Sequence, residues 1–378
     1  MSEEIVPYLI DVDASEIEDL RMRLARTRWP EPSTVSDWSQ GVPRGYLQTL
    51  CRYWAEDYDW DHRQARLNSL PQFKTTIEGL GIHFVHLRSR HQDALPLLIT
   101  HGWPGSFAEF FDVAGPLTNP EQYGGQASDA FHLVVPSLPG YGFSDKPTAP
   151  GWGVEKTAAA WALLMSRLGY RRYGAQGGDW GSLVTTSLAH QDAEHLAGIH
   201  LNMVLGFPGP DDGQLTEFET SALAALDHYQ KRDSGYSKQQ STRPQTLGYA
   251  LVDSPAGQCA WILEKFWSWS DTGGDPVGVL GADRILDDVM LYWLPGTASS
   301  SARMYWESFN NPPLGLVSVP MGASMFPREI FRASQRWASR QYSDIRYWGE
   351  PAVGGHFAAF EQPGLFVEEV RRFFRMVR

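Results

Sequence analysis

Three short clusters hold the side chains that could do chemistry. In Gly177-Gly178-Asp179-Trp180-Gly181-Ser182, an acid stands between small residues, the small-x-nucleophile-x-small pattern of a sharp strand-to-helix turn. His101-Gly102-Trp103-Pro104-Gly105-Ser106 precedes it, and Gly354-Gly355-His356-Phe357 comes near the C-terminus. A serine at position 179 would need a base to become nucleophilic. A carboxylate, with a reference pKa of about 4, is already ionised at neutral pH. It suits displacement at saturated carbon, which leaves an ester that water must then cleave. Epoxides and alkyl halides are substrates of that kind. The blander role for Asp179 is to cap the helix that starts at Trp180. The preceding strand, the glycines and the two companion clusters favour the nucleophile.

The companions have parts that follow from this. Backbone N–H groups from the His101–Ser106 loop and from the residue after the nucleophile form an oxyanion hole, which nominates Trp103 and Trp180. In the chain order nucleophile, acid, histidine, His356 is the base that deprotonates the attacking water. Glu329, in Phe326-Pro327-Arg328-Glu329, is the favoured acid to orient it. Asp344 competes but opens a strand at the wrong end of the sheet. Glu264 and Asp288 read as solvated helix charges, and His101 as structural. No Cys/His cluster or phosphate loop calls for a metal or a cofactor.

The elements that must position these groups are legible as alternation. Apolar runs at Leu95–Thr100, Phe131–Pro136, Tyr170–Gln176, Leu196–Met203, Leu314–Val319 and Ile345–Trp348 read as strands separated by helix-length segments. That predicts an α/β chain of the α/β-hydrolase fold, a mostly parallel sheet with helices on both faces. The active site belongs at the carboxyl ends of its strands. Residues 1–90 read as an N-terminal extension. It holds a helix opened by a Ser15-Glu16-Ile17-Glu18 capping box, a second helix near 44–56, and a hairpin of Phe73–Ile77 with Ile82–His86. Residues 91–206 and 313–378 form the two parts of the core. Residues 207–312, helical and rich in Trp and Tyr, form an inserted lid that either packs or lines an apolar substrate tunnel.

Bulk composition narrows the partners. With 32 Lys and Arg against 44 acids, the net charge of −12 disfavours nucleic acid. Two cysteines, Cys51 and Cys259, build no disulfide framework and are expected reduced and buried. No signal peptide or membrane-spanning run is visible, so the expected location is the cytoplasm.

Taken together, the three clusters, with Gly354–Phe360 read as Gly-Gly-His-Phe-Ala-Ala-Phe, resemble the microsomal-type epoxide hydrolases, including the juvenile-hormone epoxide hydrolases. The resemblance extends to Ser15–Pro30, similar to the N-terminal epoxide-hydrolase segment. It also covers Ser241-Thr242-Arg243-Pro244 and Ile262–Phe266 in the lid. It implies two lid tyrosines that protonate the epoxide oxygen. Tyr305 matches one; Tyr236 matches the other, with Tyr229 and Tyr249 nearby as alternatives. It implies that Asp179 attacks an apolar or aromatic epoxide and that His356-activated water releases a vicinal diol. Relatives carry an N-terminal membrane anchor, whereas this chain opens on the folded segment, so a member without an anchor is expected. A homodimer is expected by analogy, and both detoxification and secondary metabolism suit the chemistry. A haloalkane dehalogenase shares the Asp-Trp pair and is the nearest rival. A non-catalytic binding homologue is the rival of another class.

Overall fold

Strands buried on both faces need continuous apolar sequence, and the centre of this chain is built from such runs. A computed structural model describes residues 4–309, 311–313 and 315–378. Its strands are β1 (Val6–Tyr8), β2 (Gln72–Ile77), β3 (Leu80–Leu87), β4 (Leu95–Thr100), β5 (Phe131–Pro136), β6 (Tyr173–Gly177), β7 (Leu196–Leu201), β8 (Met321–Ser324) and β9 (Ile345–Gly349). They form one sheet in the order β1-β2-β3-β5-β4-β6-β7-β8-β9. The pairs from β4 with β5 through β8 with β9 are parallel. Every residue of β5 to β8 is buried, so both faces are covered. This is the α/β-hydrolase fold.

The N-terminal hairpin is continuous with that sheet. β2 and β3 pair antiparallel, turning at Glu78 and Gly79, both at positive φ, and β3 continues onto β5. The first helix, Ala14–Ala25, is capped by Asp13, whose carboxylate accepts from the Ser15 N–H. The expected capping box at Ser15 therefore does not form: the acid two residues earlier reaches the free N–H first.

Seven α-helices and one π-helical turn, Tyr229–Asp233, lie between β7 and β8 among the described residues, from Glu217–His228 to Ala298–Ser308. Their starts are written locally. Thr216 and Glu219 make a reciprocal capping box, and Pro244, Pro255 and Pro276 each open a helix where a missing N–H costs nothing. The N-terminal segment grips this insertion. Tyr58 Oη donates to Asp287 at 2.9 Å and Arg63 Nε to the same carboxylate at 2.8 Å, all three groups buried. No helix among the described residues is long and apolar enough to cross a membrane.

Two expectations give way. The run at Leu314–Val319 is not a strand: Leu314 lies outside the described residues, and Val317 makes only an isolated bridge to Tyr342. The strand is the less apolar Met321-Gly322-Ala323-Ser324, recruited by parallel pairing to β7 and β9. Asp288 is 1% exposed, not a solvated helix charge, and its pKa is pushed up to about 8 by burial.

Candidate active site

The turn after β6 is strained where a nucleophile elbow should be. Asp179 has φ +50° and ψ −129°, a region that non-glycine residues occupy only when their surroundings enforce it. The close packing explains its glycines. A side chain at Gly181 would strike the Thr100 carbonyl, and one at Gly177 would strike the backbone of Gly181. The helix Trp180–Gln191 follows at once, so the Trp180 N–H lies in its first turn with no intrahelical acceptor.

The loop after β4 reaches the same carboxylate. Trp103 N–H donates to Asp179 Oδ1 at 2.8 Å. His101 holds that loop. Its Nε2 accepts the Leu138 N–H at 3.1 Å, so its proton sits on Nδ1, which donates to the Gly102 carbonyl at 2.9 Å. Burial pulls its pKa down to about 4, which keeps the ring neutral. The Tyr292 hydroxyl, from the helix Ala282–Trp293, donates to the Gly105 carbonyl at 2.7 Å and ties the loop to the insertion.

Glu329 follows β8 and His356 follows β9, and the two meet. His356 Nδ1 is 2.7 Å from Glu329 Oε1, which also accepts the Ile330 N–H at 2.7 Å. On the other side, His356 Nε2 is 3.3 Å from Asp179 Oδ2. Both histidine and glutamate are buried. Burial alone would lower the imidazole pKa, but the Glu329 and Asp179 carboxylates outweigh it and hold the ring well above its ordinary range. The competing Asp344 instead pairs with Arg346 and is partly exposed. A cavity of about 20 Å³ beside Asp179 and His356, walled also by Glu109 and Asn202, has room for one water.

The insertion closes the site with aromatic rings. Tyr236 stacks on Trp103 with centroids 4.8 Å apart and planes at 11°. Tyr305 meets Trp103 and Trp180 edge-on, at 5.9 and 4.7 Å. Burial raises both phenols well above their ordinary range, so both are protonated. Tyr305 Oη has no hydrogen-bonding partner among the described residues, nor does the Trp180 indole Nε1. Of the alternatives to Tyr236, Tyr249 is 73% exposed and points away.

Some residues of the site were not foreseen. Trp269 packs on His356 at 5.0 Å between centroids, and its carbonyl accepts the His356 N–H at 2.9 Å. Its indole N–H donates to Asp233, which also binds the buried Lys265 ammonium at 2.7 Å. That ammonium lies over the Tyr236 ring at 4.7 Å. Tyr229 Oη is 3.0 Å from Tyr236 Oη. Tyr229, an alternative to Tyr236 in the sequence, lies in the π-helical turn Tyr229–Asp233, and Tyr236 in the helix that follows it, Gly235–Thr242.

Comparison with known proteins is consistent with this layout. Residues 5–110 match the family described as Epoxide hydrolase N terminus, and residues 96–236 the alpha/beta hydrolase fold. A Stigmatella aurantiaca (strain DW4/3-1) protein bearing an epoxide hydrolase name is 54% identical over 376 residues, covering 99% of this chain and 86% of that one. Epoxide hydrolase 1 of Sus scrofa is 36% identical, covering 98% of this chain and 88% of its own. Among solved structures, juvenile hormone epoxide hydrolase from Bombyx mori superposes with a TM-score of 0.92 at 30% identity, covering 100% of this chain and 95% of that one. Aspergillus niger epoxide hydrolase superposes at 0.89 with 33% identity, covering 99% and 97%.

Proposed function

The chain belongs to the epoxide hydrolase family, and from that premise we propose that it opens an apolar or aromatic epoxide to a vicinal diol through an ester on Asp179. The observation that carries this reading is the division of labour between the two oxygens of one carboxylate. Oδ1 is engaged by the Trp103 N–H, and Oδ2 faces His356 Nε2. Oδ2 is the attacking atom. Oδ1 becomes the ester carbonyl oxygen, placed where Trp103 and Trp180 N–H groups stabilise its charge during hydrolysis.

Tyr236 and Tyr305 donate to the epoxide oxygen as the C–O bond breaks. Tyr305, with no partner of its own, has its hydroxyl free for that purpose. The bond to carbon neutralises Asp179, which removes one of the two charges that hold the proton on His356. The imidazole therefore becomes a competent base only once there is an ester to cleave. It then takes a proton from water, and Glu329 stabilises the imidazolium that results. The aromatic walls of the insertion, residues 207–312, favour an apolar substrate.

Single-turnover reaction with styrene oxide in heavy-oxygen water is the test. The first diol formed should carry its new oxygen from Asp179 rather than from solvent, and solvent label in that first turnover would refute the ester. Halide assayed beside diol separates this chemistry from dehalogenation, for which the unpartnered Trp180 indole N–H is the one favourable feature.

A further inference from the structure

We infer that Tyr229 is a relay residue, returning a proton to Tyr236 after Tyr236 has protonated the epoxide oxygen, through the cavity that joins it to Glu329. The inference rests on the ester reading above and follows from its proton inventory. Alkylation moves a phenol proton onto the opened epoxide oxygen and leaves a tyrosinate. The neutralised Asp179 no longer holds the imidazolium, so His356 must shed a proton before it can act as base. One proton is thus surplus on the Glu329–His356 side and one is missing on the tyrosine side. Hydrolysis then passes one proton of water to His356 and the other to the leaving alkoxide. That restores the carboxylate and the imidazolium. The cycle balances when the imidazolium has given up one proton and the tyrosinate has gained one.

The geometry offers a path between the two. Tyr229 Oη lies 3.0 Å from Tyr236 Oη, a hydrogen bond along which a proton can pass. Tyr229 also lines a cavity of about 250 Å³ whose wall includes Glu329 and Trp269. Such a volume holds several waters. Glu329 Oε2, the oxygen not bound to His356, is buried behind that wall and has no hydrogen-bonding partner among the described residues. Exposed His228 and Arg328 border the same cavity, so bulk water reaches it. The tyrosine is held in place by Phe331, with ring centroids 5.0 Å apart. It acts through Tyr236 and touches no substrate.

Tyr229→Phe keeps the ring and its packing and removes only the hydroxyl. With styrene oxide and rapid quenching, the variant should form the residue-179 ester within about threefold of the unaltered rate, since Tyr236 and Tyr305 remain. Ester breakdown should slow about tenfold, so that the adduct accumulates. Raising the concentration of ammonium buffer, a small acid able to enter the cavity, should restore the breakdown rate. Unchanged ester breakdown overturns the relay. So does an equal loss in ester formation and breakdown with no response to buffer, because that marks a purely structural contact. No residue-179 adduct in the unaltered protein would remove the ester reading itself, and the relay with it.

Discussion

The two halves of the site are held by different physics. Asp179, Glu329 and His356 stand in the loops that follow β6, β8 and β9, and short hydrogen bonds link them to one another and to backbone. Parallel register fixes where those strand ends fall, and the insertion adds one backbone support, the Trp269 carbonyl that accepts the His356 N–H. Tyr236 and Tyr305 sit on helices between β7 and β8, located by ring contacts with Trp103, Trp180 and Trp269. Ring packing tolerates small shifts that a 2.7 Å hydrogen bond does not. The strand-end half is therefore suited to an invariant hydrolysis, and the helical half to adjusting how the substrate is held.

Substitutions should separate the halves. Asp179→Ala removes the proposed attacking atom and should lower steady-state diol formation by about 10⁴-fold or more, with circular dichroism unchanged. Residual turnover within about tenfold of the original would place the nucleophile elsewhere. His356→Gln should leave ester formation intact and slow its hydrolysis about 10³-fold, so that intact-mass spectrometry finds the alkylated protein. Asp287→Ala tests the support beneath the helical half, since it leaves the buried Arg63 guanidinium with only the longer 3.6 Å pairing to Asp283. Urea unfolding should show a loss of about 3 kcal/mol. Tyr305→Phe should slow ester formation about a hundredfold while ester breakdown, followed after rapid mixing, is untouched.

The smallest effect is on pH. The folded His356 pKa lies above its ordinary value of 6.5, so its contribution to stability is complete below that value and is lost as pH rises through the folded pKa. Asp179→Asn removes one of the two carboxylates responsible. The alkaline loss of stability should then begin at lower pH, read from urea midpoints across a pH series.

What could be read in advance was whatever chain neighbours decide. The elbow, the Trp103 loop and the Gly-Gly-His segment are each contiguous, and the first two directly follow buried apolar strands. Helix starts at Thr216 and at three prolines are likewise local. β8 was misplaced because Met321-Gly322-Ala323-Ser324 has little strand preference of its own and is strand only between its neighbours. Asp288 was misjudged because burial belongs to the packed molecule; nothing in a charged residue on a helix announces it.

The amino-acid order alone set out the candidate groups at the strand ends, an acid at the elbow position and a histidine after the last strand, and the sheet that carries both. Only folding decided which oxygen of Asp179 meets Trp103 and which meets His356, that Tyr236 stacks on Trp103 while Tyr249 is exposed, and that Tyr229 and Glu329 border one cavity. Those contacts join residues many turns of chain apart. Each is selected by packing and charge at a distance, which no local pattern encodes.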